Sequence, residues 1–171
     1  MQLSGKKTAF CGLALALSLI AGYAESLIPL TVAIPGIKLG AGNSVIVFLL
    51  YMVGAKEALL VNLCRVFLSG FFFGNLTTIL YSLSGALLSL LIMVLLKKTD
   101  RFSIGGVSMA GGVFHNIGQL LVAYFILKTG AVLYYLPVLV VSGTITGFGI
   151  GWLAGEICKR IKKADGESSI D

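Results

Sequence analysis

Charge is scarce in this chain. Lys and Arg number 13 and Asp and Glu 7, together 12% of 171 residues, about half the share a soluble domain carries, which is about 25%. That shortage leaves too little polar surface for a water-facing globule of this length. Aspartate is scarcer still: Asp100, Asp165 and Asp171 stand far apart, so no paired or Asp-rich motif can hold magnesium on a diphosphate. There is one histidine, His115, with no second histidine and no carboxylate cluster in its neighbourhood, a weak signal for a metal. Cys11, Cys64 and Cys158 form no CxxC pair, which excludes a zinc or redox motif and leaves ordinary buried thiols as the expectation. No nucleophile elbow appears. In the glycine-rich stretch "IPGIKLGAGN" Lys38 precedes Gly40 and Asn43 follows Gly42, the wrong order for a phosphate loop, which needs Gly-Lys-Ser/Thr before a helix. The sequence therefore implies no enzyme, no metal and no cofactor of its own.

What the chain has instead is long apolar runs. It is 57% hydrophobic, with mean hydropathy +1.00. A membrane span needs roughly 20 mostly apolar residues to cross about 30 Å of hydrocarbon. Hydropathy and breaks predict an all-α integral membrane protein of six transmembrane helices, over about 8–28, 43–53, 57–73, 76–96, 106–127 and 132–157. Pro29 and Pro35 end the first. The tight turns "VGAKE", "FGN" and "KTG" and the longer "KKTDRFSIGG" separate the others. Lys6 and Lys7 before the first run give it the look of a signal peptide, but no small-x-small cleavage pattern follows, and it reads as a retained helix. One membrane domain spans 1–158, and 159–171 forms a polar cytoplasmic tail.

With six spans, the basic residues sort to two sides. Lys6, Lys7, Lys56, Lys97, Lys98, Arg101, Lys159, Arg160, Lys162 and Lys163 fall on one, Lys38 and Lys128 on the other. The positive-inside rule then puts both termini in the cytoplasm of a cell-membrane protein. The net charge of +6 is a topology signal, and nucleic acid is not an expected partner. Residues 29–43 lie outside by this assignment. Val32, Ala33, Ile34, Ile37 and Leu39 make that segment too apolar for a freely solvated loop. Together with the short second helix it reads as a re-entrant or lid-like cap, tolerated at membrane depth only over protein or a wet cavity.

Polar side chains within spans are costly and are functional candidates. Arg65 follows Glu57 by eight residues, about 12 Å along the third helix. Asn62, Arg65 and Ser69 share one face of it. His115 and Gln119 lie one turn apart on the fifth helix, with Asn116 adjacent. Glu25, Asn43 and Lys38 stand at the outer side. These residues form the candidate small-molecule site. A second reading is equally open: Arg65 bridged to Glu25, His115 as a hydrogen-bonded core residue, Asn and Gln joining helices, and Lys38 as a solvated loop charge. Small residues also recur at four-residue spacing. Ala14, Ser18 and Gly22 form one row of the first helix, Gly12 and Ala16 another, and Gly143, Gly147 and Gly151 a third on the sixth. Such rows let helices approach closely, within the bundle or against another membrane subunit.

The runs "ESLIPLTVAIPGIKLGAGNSVIVFLLYMVGAKEALLVNLCRVFLSG" and "GGVFHNIGQLLVAYFI" resemble the Gx transporter family, whose members are often labelled heptaprenyl diphosphate synthase component I. The resemblance covers about residues 9–159. That family is in turn similar to the substrate-binding S-components of energy-coupling factor (ECF) transporters. The similarity implies a six-helix bundle with an outward-facing pocket, a first external loop serving as lid, uptake of a vitamin-like molecule, and docking on a transmembrane coupling subunit driven by two ATPases. S-components usually offer Ala-x-x-x-Ala on the first helix; here Gly12-x-x-x-Ala16 and Ala14-x-x-x-Ser18 stand in its place.

Overall fold

A computed structural model describes residues 5–27 and 41–164. Six α-helices account for most of them: α1 Gly5–Ser26, α2 Ala41–Met52, α3 Ala55–Phe73, α4 Leu76–Lys98, α5 Ile104–Leu127 and α6 Leu136–Ala164. There is no strand among the described residues. The all-helical expectation holds, with starts and stops within a few residues except at α6. A 3-10 turn over Gly130–Tyr135 precedes that helix, and Pro137 occupies its first turn, where the missing N–H costs nothing. At its other end α6 runs on to Ala164, through residues that composition assigned to the tail. Lys159, Arg160 and Lys163 suit a helix C-terminus, where cations meet the negative end of the dipole, and Arg160 Nε donates to Glu156 Oε1 at 3.0 Å one turn back.

Among the described residues four segments are long and apolar enough to cross a membrane: Gly5–Ala24, Leu76–Lys98, Ile104–Leu127 and Gly130–Ile161. The other two helices differ in kind. α3 has 19 residues but carries Lys56, Glu57 and Arg65. α2 is apolar yet has only 12 residues, about 18 Å at 1.5 Å each, well short of a 30 Å core. It compensates by burial. Ile46, Val47, Leu49 and Leu50 are all at most 2% exposed, because α2 packs against α1, α3 and α6 at once. Gly54, at φ 145°, makes the reversal from α2 into α3, a backbone state that glycine alone adopts without strain.

The ends of the bundle are chemically distinct. Lys7 Nζ lies 4.0 Å from Glu57 Oε1, joining the start of α1 to the start of α3. Lys97 Nζ, at the end of α4, donates to the carbonyl of Leu50 at 2.5 Å, near the end of α2, and sits 4.8 Å from the centre of the Tyr51 ring. Gly151, midway along α6, abuts Gly105 at the start of α5, so the basic second half of α6 runs on past that end of α5. The basic residues of five helix ends thus share one end of the bundle. Exposed aromatics crowd the other: Tyr23 stacks on Phe73 with centroids 5.0 Å apart, and Phe71, Phe125 and Tyr134 are more than two-thirds exposed. Such rings suit the membrane–water boundary. Between the ends, Leu17, Ile20, Phe67, Leu91, Ile145, Phe148 and Trp152 face outward, more apolar surface than a soluble monomer leaves uncovered. Cys158 is buried and Cys11 half-buried, but Cys64 is exposed. The expectation of a buried thiol fails there because position 64 lies on the outward face of α3.

Candidate binding site

The α3 stripe meets α2 where the latter begins. Arg65 Nη2 donates to Asn43 Oδ1 at 2.8 Å and to Asn62 Oδ1 at 3.0 Å. Asn62, 3% exposed, is itself oriented by α4, its Nδ2 donating to the carbonyl of Ala86 at 3.4 Å. These two acceptors are neutral amides, and they orient the guanidinium. Space for it comes from Gly42: a Cβ at that position would lie 2.7 Å from Arg65 Nη1 and 3.1 Å from the carbonyl oxygen of Ser18. This role of Gly42, as room for a cation between α1 and α3, depends on the packing and is invisible in the sequence. Ser69 Oγ is turned back on its own helix, donating to the carbonyl of Val66 at 3.3 Å. Glu25 lies in the last turn of α1, and its side chain is outside the described part of the structure. Lys38 and the loop segment 28–40 are outside the described residues altogether.

The second stripe divides. His115 Nε2 and Gln119 Nε2 are 3.0 Å apart. With the amide as donor, the imidazole accepts at Nε2 and carries its proton on Nδ1. Both residues are 9% exposed and press on α4 where Gly85 leaves room; a Cβ there would lie 3.0 Å from His115 Cε1 and from Gln119 Cγ. Asn116, one residue on, points to α6 instead. Its Nδ2 donates to the carbonyl of Leu139 at 2.8 Å and to Ser142 Oγ at 3.4 Å. Gly85 faces His115 and the next residue, Ala86, receives Asn62. The two polar groups therefore flank neighbouring sides of α4, one around Arg65 and one around His115, with α4 between them. Among the described residues no three His, Cys, Asp or Glu gather as metal ligands.

The small-residue rows also separate. Ala14 and Ser18 are buried at 5% and 0% exposure. Gly12 and Ala16 face outward, and a Cβ at Gly12 or Gly22 would meet nothing within 4 Å. On α6 the row is closed: a Cβ at Gly143 would lie 2.8 Å from the Gly112 carbonyl oxygen, one at Gly147 2.7 Å from the Ser108 carbonyl oxygen, and one at Gly151 2.7 Å from Gly105 Cα.

A family described as heptaprenyl diphosphate synthase component I matches residues 12–157. The chain belongs to this family. The matched span takes in all the helices but the first turns of α1 and the last of α6, and it contains both polar groups. No curated protein and no solved structure matches the chain. The component I name, together with several apolar helices able to span a bilayer, marks a multi-pass membrane protein.

Proposed function

We propose that this component I family member is the membrane-embedded substrate-binding subunit of an ECF-type uptake transporter, taking a small vitamin-like or quinone- or isoprenoid-related molecule. The observation that carries the reading is the half-buried Arg65 side chain, oriented by Asn43 and Asn62 beside the helix end to which the 28–40 segment connects. A cation within an apolar bundle is costly and marks a functional position, and a guanidinium suits an anionic or carbonyl group. In this proposal both termini are cytoplasmic and the six helices form the S-component bundle. Residues 29–43 cap the site, Lys38 greets the ligand at the mouth, and Glu25 and Ser69 complete its polar lining, while His115 and Gln119 form a separate polar group across α4. The outward Gly12–Ala16 face of α1 docks on a transmembrane coupling subunit that carries the ATPases.

Thermal stabilisation of the purified protein by vitamins, flavins and quinone precursors tests this, with mass spectrometry of whatever co-purifies. A ligand that raises the melting temperature of the wild type and fails to do so for Arg65→Ala supports the reading. Stabilisation by no compound, or a shift that survives in Arg65→Ala, defeats it. Glu25→Gln tells a ligand-binding arginine from a structural Arg65–Glu25 bridge: the bridge predicts lost stability without ligand. The family's name is also compatible with a second reading, a non-transporting membrane subunit tied to isoprenoid-quinone synthesis or to an electron-transfer assembly. Co-purification with a prenyltransferase or redox partner and without ATPases would select it.

A further inference from the structure

At the basic end of the bundle a groove of about 260 Å³ opens between α1 and α6. It exists because both helices lean on α2: α1 packs on α2 and α3, and α6 packs on α2 and α5. Phe10, Leu13 and Leu17 form one wall, Ala154 and Ile157 the other, and Phe48 part of the floor. Leu13 and Leu17 are 60% and 51% exposed, so the groove is open along its length to the surroundings of the bundle.

Each wall ends in cations at the same end. On α1 the positions 6, 10, 13 and 17 follow the four-and-three spacing of one helical face, so Lys6 continues the stripe of Phe10, Leu13 and Leu17, with Lys7 beside it. On α6 the positions 154, 157 and 161 follow that spacing, and Arg160 lies beside this stripe, about 60° round from Ile157. Lys6 and Lys159 are exposed, as is Lys163. The side chains of Lys7 and Arg160 are 56% and 80% exposed even though each approaches a glutamate, Glu57 and Glu156. Lys6, Lys7 and Arg160 therefore stand beside one end of an apolar trough, with Lys159 and Lys163 adding positive charge farther round the end of α6. A wholly apolar occupant would leave that charge without use, and a soluble anion would leave the trough empty.

We propose that this groove is a binding site for an anionic phospholipid. One acyl chain lies on α2 between α1 and α6, and the phosphate is held at the rim by Lys6, Lys7 and Arg160. Basic side chains near a membrane surface attract anionic headgroups, and their long apolar stems can lie along the trough while the charges reach the headgroup. The site is separate from the Arg65 cluster and does not depend on which ligand that cluster takes.

Native mass spectrometry of the full chain tests the assignment, titrated with phosphatidylglycerol and phosphatidylcholine of identical acyl chains. The wild type is expected to keep one phosphatidylglycerol at least fivefold more tightly than phosphatidylcholine. Lys6→Gln/Lys7→Gln/Arg160→Gln should abolish that preference. Leu17→Trp, which fills the trough from its open edge with every charge in place, should cut phosphatidylglycerol retention at least fivefold; Leu13→Trp serves if that protein is not monodisperse. Equal retention of the two lipids overturns the proposal. So does phosphatidylglycerol binding that neither tryptophan variant weakens, which would be plain surface attraction. A dimer or a co-expressed partner released by Leu17→Trp, with lipid retention unchanged, would assign the groove to a protein and overturn it too.

Discussion

Two rows of small residues in this protein have nearly the same sequence pattern and opposite fates. On α6, Gly143, Gly147 and Gly151 press against the backbone of α5 so closely that any Cβ would collide with it. On α1, Gly12 meets nothing at all and Ala16 faces outward, while Ala14 and Ser18 of the interleaved row turn inward. Small residues at four-residue spacing permit close helix approach, but permission is all they give. The α4–α5–α6 side of the bundle uses it internally. The α1 side leaves one row unspent on an outward face, and only such a row is free to meet another subunit.

The largest test of that contrast is steric. Gly147→Leu should abolish a folded, monodisperse protein or lower its melting temperature sharply. Overpacking a tight core costs about 1–3 kcal/mol, and here the obstruction is backbone, which cannot swing aside. Gly12→Leu should leave stability within about 0.5 kcal/mol, as for a surface change. If it destabilises as much, the open face of α1 is not open.

Next in size is ligand binding. Hydrogen bonds to charged groups are worth about 1.5–3 kcal/mol, so Arg65→Ala should weaken the ligand about tenfold or more by calorimetry. Asn43→Ala should cost less, since it orients the guanidinium without replacing it. Lys38→Ala should also cost less than Arg65→Ala, and an equal or larger loss would move the site outward, to the mouth.

A smaller effect separates the two polar groups of α5. Asn116→Ala should lower the melting temperature by the equivalent of about 0.6 kcal/mol, typical of a hydrogen bond between membrane helices, with ligand affinity unchanged, because its partners are Leu139 and Ser142 of α6. A loss of affinity instead would return Asn116 to the site. Comparable in size is Lys97→Met, which removes the bond to the Leu50 carbonyl and should cost about 1 kcal/mol without touching the Arg65 cluster.

The helices were legible because hydropathy and breaks report length and period directly. Asn62 and Arg65 were legible as one face because their spacing puts them there in any α-helix. The α5 stripe was harder. His115 and Asn116 look like one motif in "FHNIGQ", yet consecutive residues point about 100° apart. One therefore meets α4 and the other α6. That α6 would run past Cys158 was hidden because lysine and arginine fit a tail and a helix C-terminus equally well.

By itself, then, the sequence determined what lies within each helix: its length, its apolar character, the face shared by Asn62 and Arg65, and the sorting of basic residues that recurs as one charged end of the bundle. Tertiary structure alone decided which faces meet. It made the α6 glycines a closed seam and left Gly12 bare, gave Asn43 to Arg65 and Asn116 to α6, and opened an apolar trough between α1 and α6. The physical reason is that periodicity fixes direction around one helix axis, whereas a contact needs two axes, and their relative placement is set by the packing of all six.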